Sequence, residues 1–531
     1  MCSSGKKYVR TIDELMSVGQ IIMIPTEKRR HKVQNCHHSA AAQSTSLKRT
    51  VAAVDLMLWI VANFLATTIQ MASLISSLFT SASSAVAARV DSLRIAEAAL
   101  AEHVLSFGRG QHSVDSFDTR IPRSALPLKG PREDAACQIN TSAKGDDHYV
   151  IHGVKVTRVD EDAGQRSGIS PLVILHGYMN GSMYFYRNLA GLADYFGSVY
   201  SLDQLGSGLS SRPSYGRVPT EAPKSSPASP ALSENERERF PISASESFFV
   251  ESLEAWRRAN SIDRMNLCGH SLGGYLGVAY AEKYPQHVDT LLLLSPVGVP
   301  EPPSAENDRM NSPNTPLRFR ILFGTFRYLW ARGTTPGDVI RSLPESQARR
   351  MIDGYVENRL RISSLDEKRA VGDYLLHNAL LPGSGEYALS RLLNPGAYAK
   401  RPTVLRIPKL KVDRVAFVYG QNDWMDYKGG IDVQRRCNEM RGKGQTAPEV
   451  EVLGVSKAGH MLMIDNYAEA NAAMILGAGG SPPKSAPAPG RFVRGQYSSF
   501  FQGSRFRPAE KPAEEEKKQE SGDVSRPATA S

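Results

Sequence analysis

A serine attacks a carbonyl only when its hydroxyl stands clear of its own backbone, and Gly269-His270-Ser271-Leu272-Gly273 offers such a serine. Glycines on both sides permit the tight strand-to-helix turn this requires. The apolar run Met265–Cys268 leads in, and a helical pattern from Gly273 to Tyr284 leads out. A Gly/Ser loop without chemistry would lack both flanks. The context predicts a nucleophile at Ser271, which would form a covalent acyl intermediate with an ester.

Such chemistry needs two backbone N–H donors for the developing oxyanion, one from the residue after the nucleophile and one from a loop after an early strand. Leu272 is the first. Tyr178, in His176-Gly177-Tyr178 after the run Pro171–Leu175, is the second. The base and its orienting acid must follow in the order serine, acid, histidine. Among 12 histidines, His460 alone stands on the loop after the last predicted strand, and most of the others are read as surface residues. Asp423, three residues past the strand-ending Gly420, is the expected acid. Asp426 on the same loop is the alternative, and the one not used is expected to cap the next helix.

These residues need a scaffold. Apolar runs at Pro171–Gly177, Ser198–Asp203, Met265–His270 and Asp289–Pro296 alternate with helical patterns. That alternation predicts an α/β class, with a mostly parallel central sheet and helices on both faces. His148–Val159 reads as a pair of strands. The first part of the core spans 148–300, interrupted at 213–242 by a low-complexity surface insertion. Residues 301–405 break the alternation and read as a helical cap. The core resumes over 406–479, with strands Arg414–Gly420 and Glu449–Val455 and a last helix from Asp465. Residues 480–531, rich in Pro, Ala, Lys and Glu, read as a disordered tail.

The ends of the chain carry a different signal. Residues 1–50 hold nine Lys/Arg against three Asp/Glu, within a formal charge of +10 over 531 residues. A basic leader suits an anionic membrane face or an import receptor, which points to a mitochondrial site or the cytosolic face of a membrane. Nucleic acid is not expected, because no aromatic-interleaved basic stripe accompanies it. The segment 51–110 contains an uncharged run, residues 56–88, with a polar stripe at Asn63, Thr67, Gln70, Ser73 and Ser77. It reads as an interfacial helix, a span, or a helix packed on the catalytic domain. The five cysteines form no C-x-x-C pair and no metal-spaced cluster, so neither metal nor cofactor is expected.

The motifs LVILHGY, LDQLGSGLSSRP, FFVESLEAWR, GHSLGGYLGVAYAEKYP, LLLLSPVGVP, GSGEYALSRLLNPGAYAKRP, VYGQNDWMDY and GHMLMID together resemble one branch of the α/β hydrolases. That branch holds an animal lipid-droplet coactivator of triglyceride lipase, its plant counterpart and a fungal cardiolipin-specific phospholipase. The resemblance covers roughly Val154–Met474 and implies the α/β-hydrolase fold with a lipid-ester substrate. It also implies an H-x4-D motif, here His460 and Asp465, associated with acyl transfer to lysophosphatidic acid. Read from the residues alone, Asp465 caps the final helix. Some members lack the serine, which Ser271 supplies here.

The expected partner is therefore a phospholipid or other lipid ester at a membrane or lipid-droplet surface. Arg318, Arg320, Arg327 and Arg332 in the cap could meet its phosphates. Two other readings stay open: a non-catalytic membrane or droplet adaptor with a hydrolase fold, and a soluble small-ester carboxylesterase. Oligomeric state is not legible in the sequence.

Overall fold

Unbroken apolar runs require burial on both faces of a sheet. In the computed structural model of the chain the central strands meet that requirement within a ten-stranded sheet: β1 (His112–Pro122), β2 (His148–Arg158), β3 (Leu172–Leu175), β4 (Ser198–Leu202), β5 (Met265–His270), β6 (Val288–Leu294), β9 (Arg414–Gly420), β10 (Glu449–Val455), β11 (Gly490–Val493) and β12 (Gln496–Tyr497). Strands β7 (Leu393–Asn394) and β8 (Tyr398–Ala399) form a separate small hairpin. The structure describes residues 82–109, 111–128, 147–159, 168–221, 233–302, 317–493 and 496–497.

The spatial order is β1-β2-β4-β3-β5-β6-β9-β10-β11-β12. Neighbours from β4 through β10 run parallel, and the strands outside them pair antiparallel. Because side chains alternate along a strand, the central runs feed two separate cores. Val173, Leu175, Leu291, Leu293 and Phe417 point to one face, where Trp256, Tyr275 and Val433 come from helices α3 (Glu234–Ala259), α4 (Leu272–Lys283) and α10 (Lys428–Gly442). Leu172, Ile174, Leu292, Leu294 and Val418 point to the other. There α1 (Ala82–Val104), α2 (Tyr186–Phe196) and α12 (Tyr467–Gly477) bring Leu93, Leu189 and Met474. Cys268 belongs to this second core; burial pushes its thiol pKa up, and its Sγ lies 3.8 Å from Met474 Sδ.

Between β6 and β9 stand α5 (Leu317–Ala331), α6 (Pro336–Ser342), α7 (Glu345–Arg359), α8 (Leu365–Leu380) and the short α9 (Leu389–Leu392). Helix α1 packs along α8. Its buried residues Leu93, Ala96, Leu100 and Val104 recur every three or four positions, as one helical face must.

Several expectations need correction. The stretch 148–159 holds one strand, β2, not two: Gly153 marks a close approach rather than a turn, since a Cβ there would lie 2.7 Å from Ser201 O and 2.8 Å from the Phe117 ring. Its edge partner β1 falls in a stretch with no predicted element. The insertion at 213–242 is helical from Glu234, where Ser233 and Glu236 form a capping box. The expected tail at 480–531 contributes β11, which pairs Leu453 with Arg491 and Gly454 with Gly490.

Residues 1–81 and 498–531 lie outside the described residues, as do most of the uncharged run 56–88 and the side chain of Arg318. Among the described residues no helix is long and apolar enough to cross a membrane.

Candidate active site

Ser271 sits between β5 and α4 at φ 53° and ψ −115°, a left-handed backbone that costs a non-glycine residue energy. Its neighbours hold it there. The Ser271 amide donates to Leu294 O at 2.9 Å, and Ser271 O accepts from Gly274, Tyr275 and Val297 at 3.1, 3.3 and 3.2 Å. Close packing explains the flanking glycines. A Cβ on Gly269 would lie 2.3 Å from Gly273 O, and one on Gly273 would lie 2.4 Å from Leu175 O.

The loop after β10 brings His460 to this serine, with Nε2 3.2 Å from Ser271 Oγ. His460 Nδ1 lies 3.1 Å from Asp423 Oδ1, whose side chain is wholly buried. A carboxylate oxygen accepts, so Nδ1 carries the proton and the Nε2 lone pair faces the hydroxyl. Asp423 Oδ1 also takes the Met425 amide at 3.0 Å, which fixes the carboxylate. Asp426 is engaged elsewhere: its Oδ1 accepts the amide of Lys428, the first residue of α10, at 3.0 Å.

Asp465 does not cap the final helix. It ends the short α11 (Leu462–Asp465), and its oxygens accept the amides of Gly459 at 2.8 Å and Arg361 at 3.2 Å. The final helix begins after Asn466 without a side-chain cap. Tertiary partners have displaced the local capping rule.

Tyr178 and Leu272 line one cleft together with His176, Gly177, Gln204, Arg212, Phe249 and Glu386. A Cβ on Gly177 would lie 3.1 Å from Ser271 Cβ, so the loop carrying the Tyr178 amide passes directly against the serine. The Tyr178 hydroxyl accepts the Gly337 amide of α6 at 3.2 Å, tying this loop to the cap.

Three residues to which the motifs assign no role also shape the site. Buried His176 receives the Gln204 amide on Nε2 at 3.1 Å, so its Nδ1–H donates to Gly177 O at 2.7 Å. Burial lowers its pKa, in keeping with one neutral tautomer. That bond orients the peptide whose N–H belongs to Tyr178. Buried His270 donates from Nε2 to His460 O at 3.0 Å, and burial holds it neutral, well below the ordinary histidine range. Trp424 stands half exposed, its ring 5.2 Å from that of His460. His176 belongs to the His-Gly pair and His270 to a variable position of G-x-S-x-G, and only burial and partners reveal what either does.

Among the described residues, Glu97, His152 and Asp203 could present one metal-ligand atom each within 4.8 Å of one another. All three are already engaged. His152 Nε2 lies 3.0 Å from Glu97 and Nδ1 2.7 Å from Asp118, while Asp203 accepts the Ser182 and Leu209 amides at 2.6 and 2.8 Å. The group is an ion-paired cluster joining α1 to the sheet.

Comparison with known proteins gives consistent results. The family described as alpha/beta hydrolase fold matches residues 170–467. The 1-acylglycerol-3-phosphate O-acyltransferase of Arabidopsis thaliana is 31% identical over 57% of this chain and 64% of its own length. The human 1-acylglycerol-3-phosphate O-acyltransferase ABHD5 is 30% identical, over 57% of this chain and 76% of its own length. Protein ECM18 of Saccharomyces cerevisiae is 28% identical, over 58% of this chain and 70% of its own length. The chain thus spans a little under two thirds of the Arabidopsis relative.

Proposed function

The chain belongs to the α/β-hydrolase family, and from that premise we propose that it is a serine hydrolase of membrane-lipid acyl esters. Ser271 attacks the ester carbonyl as His460 takes its proton, and Asp423 stabilises the imidazolium. The Leu272 and Tyr178 amides bind the oxyanion, and loss of one such donor typically costs about 3–4 kcal/mol. His460 then returns the proton to the departing alcohol, leaving an acyl-enzyme. Water releases the acyl group, or the hydroxyl of a lysophospholipid accepts it, which joins hydrolysis and transfer in one site. The observation that carries this reading is the contact of 3.2 Å between Ser271 Oγ and His460 Nε2, with His460 held by Asp423.

A lipid substrate is supported by the relatives named as acyltransferases of 1-acylglycerol-3-phosphate. It is also supported by the cap helix α5, where Ile321 and Tyr328 stand out to solvent, as do Arg320 and Arg327. Such a surface suits the membrane interface. The test is turnover of phospholipid vesicles, with and without an added lysophospholipid acceptor. Wild type should release or transfer acyl chains and Ser271→Ala should not. Equal turnover by both would exclude the reading.

A further inference from the structure

Four arginines are buried among the described residues: Arg187, Arg212, Arg257 and Arg406. Three have carboxylate partners. Arg187 pairs with Glu367 at 2.7 Å, Arg257 with Glu254 at 2.9 Å, and Arg406 with Glu246 at 2.9 Å and Glu282 at 2.6 Å. No carboxylate of the described residues stands within ion-pairing distance of Arg212, which is 3% exposed. Its Nη1 donates to Gly206 O at 3.3 Å and Pro382 O at 2.8 Å, and its Nη2 to Gly208 O at 3.2 Å and Asn378 Oδ1 at 3.1 Å. These acceptors are neutral, and Nε has none.

Buried charges are normally paired, because desolvation otherwise costs several kcal/mol. The arginines show the contrast. Burial opposes the charge of Arg187 and Arg406, and their carboxylates outweigh it and raise both; Glu254 raises Arg257 against burial. For Arg212 burial prevails, and its pKa falls to about 10. The nearest carboxylates are committed to other groups. Glu386 is held by Arg341 and Thr335, and Asp203 by two amides beside protonated His152.

Arg212 lines the same cleft as Gly177, Tyr178 and Leu272, the last two being the residues assigned to the oxyanion and Leu272 directly following Ser271 in the chain. We propose that this cleft is a head-group subsite in which the phosphate of a glycerolipid supplies the counter-charge that the fold withholds from Arg212. The inference rests on the lipid-ester reading of Ser271. The four bonds from Nη1 and Nη2 hold the guanidinium in place, so the charge is preorganised before substrate arrives.

The test is independent of turnover. Ser271→Ala protein is titrated with an ether-linked glycerolipid bearing a phosphate monoester, and with the same lipid lacking phosphate. Adding Arg212→Gln should weaken the phosphate lipid by about tenfold to a hundredfold, the range for a hydrogen bond to a charged group. Binding of the neutral lipid should stay within about threefold, and Arg212→Lys should recover most of the preference. Equal weakening of both lipids, or no change in either, would make Arg212 a structural staple and overturn the proposal. Displacement of the phosphate lipid by an equal concentration of inorganic phosphate would also overturn it, since the site would then read a free anion. Loss of vesicle turnover in wild type, with the phosphate preference intact, would count against the hydrolase reading alone.

Discussion

Asp465 accepts the backbone amide of Gly459 at 2.8 Å, one residue before His460. Its second oxygen accepts the Arg361 amide at the end of α7, so one carboxylate ties the loop of the base to the cap. Asp465→Ala should lower kcat by roughly tenfold to a hundredfold through misplacement of His460. Two stranded amides should reduce stability by about 1–3 kcal/mol each at most. Hydrolysis and transfer should fall together, because both depend on the same histidine. Selective loss of transfer would instead give Asp465 a direct chemical role.

The two acids on one loop make a clean comparison. Asp423→Asn should reduce kcat by roughly three to four orders of magnitude with little change in KM, because an amide no longer selects the working tautomer. Asp426→Asn should remain within severalfold of wild type, since Asp426 serves the Lys428 amide. Steady-state kinetics on any accepted ester decide the matter, and a reversed order would move the acid to Asp426.

His176 acts on the oxyanion site through a peptide rather than through substrate. His176→Phe removes the donor to Gly177 O and leaves the Tyr178 amide free to tilt. The expected effect is roughly a tenfold to hundredfold fall in kcat, less than complete loss of a donor, with KM nearly unchanged. A change confined to KM would indicate instead that the loop shapes binding.

The ion-paired cluster predicts a pH dependence of stability. Burial opposes the charge of His152, but the carboxylates of Asp118 and Glu97 outweigh it and raise its pKa to about 10. The unfolded value is roughly 6.5, so between the two the folded chain keeps a proton that the unfolded chain has released. This contribution is complete below about pH 6.5 and fades as pH rises towards 10. The difference in Tm between wild type and His152→Gln should therefore shrink across that window. A constant or widening difference contradicts the assignment.

Much of this was legible in the sequence because it lay in local patterns. Arg414–Gly420 and Glu449–Val455 occupy their expected strand positions, since buried parallel strands read as unbroken apolar runs. Strand β1 escaped because Ile121 alone of its residues is buried at this sheet edge, leaving Ser, Asp, Thr and Arg among few apolar positions. Ser271, Asp423 and His460 announce themselves by type and by position after a strand. His176, His270 and Arg212 do not, because their significance comes from burial and from partners far away in the chain. Asp465 misled for the same reason, as a residue placed to cap a helix was recruited by Gly459 and Arg361.

The central claim is that Ser271 is a nucleophile activated by His460. Treating the full-length protein with a fluorophosphonate and mapping the adduct by mass spectrometry tests it most directly. The account predicts a single phosphonylated serine at Ser271, absent from Ser271→Ala and slowed by orders of magnitude in His460→Ala. A wild-type protein that stays unmodified at Ser271, or one labelled equally fast without His460, would contradict it.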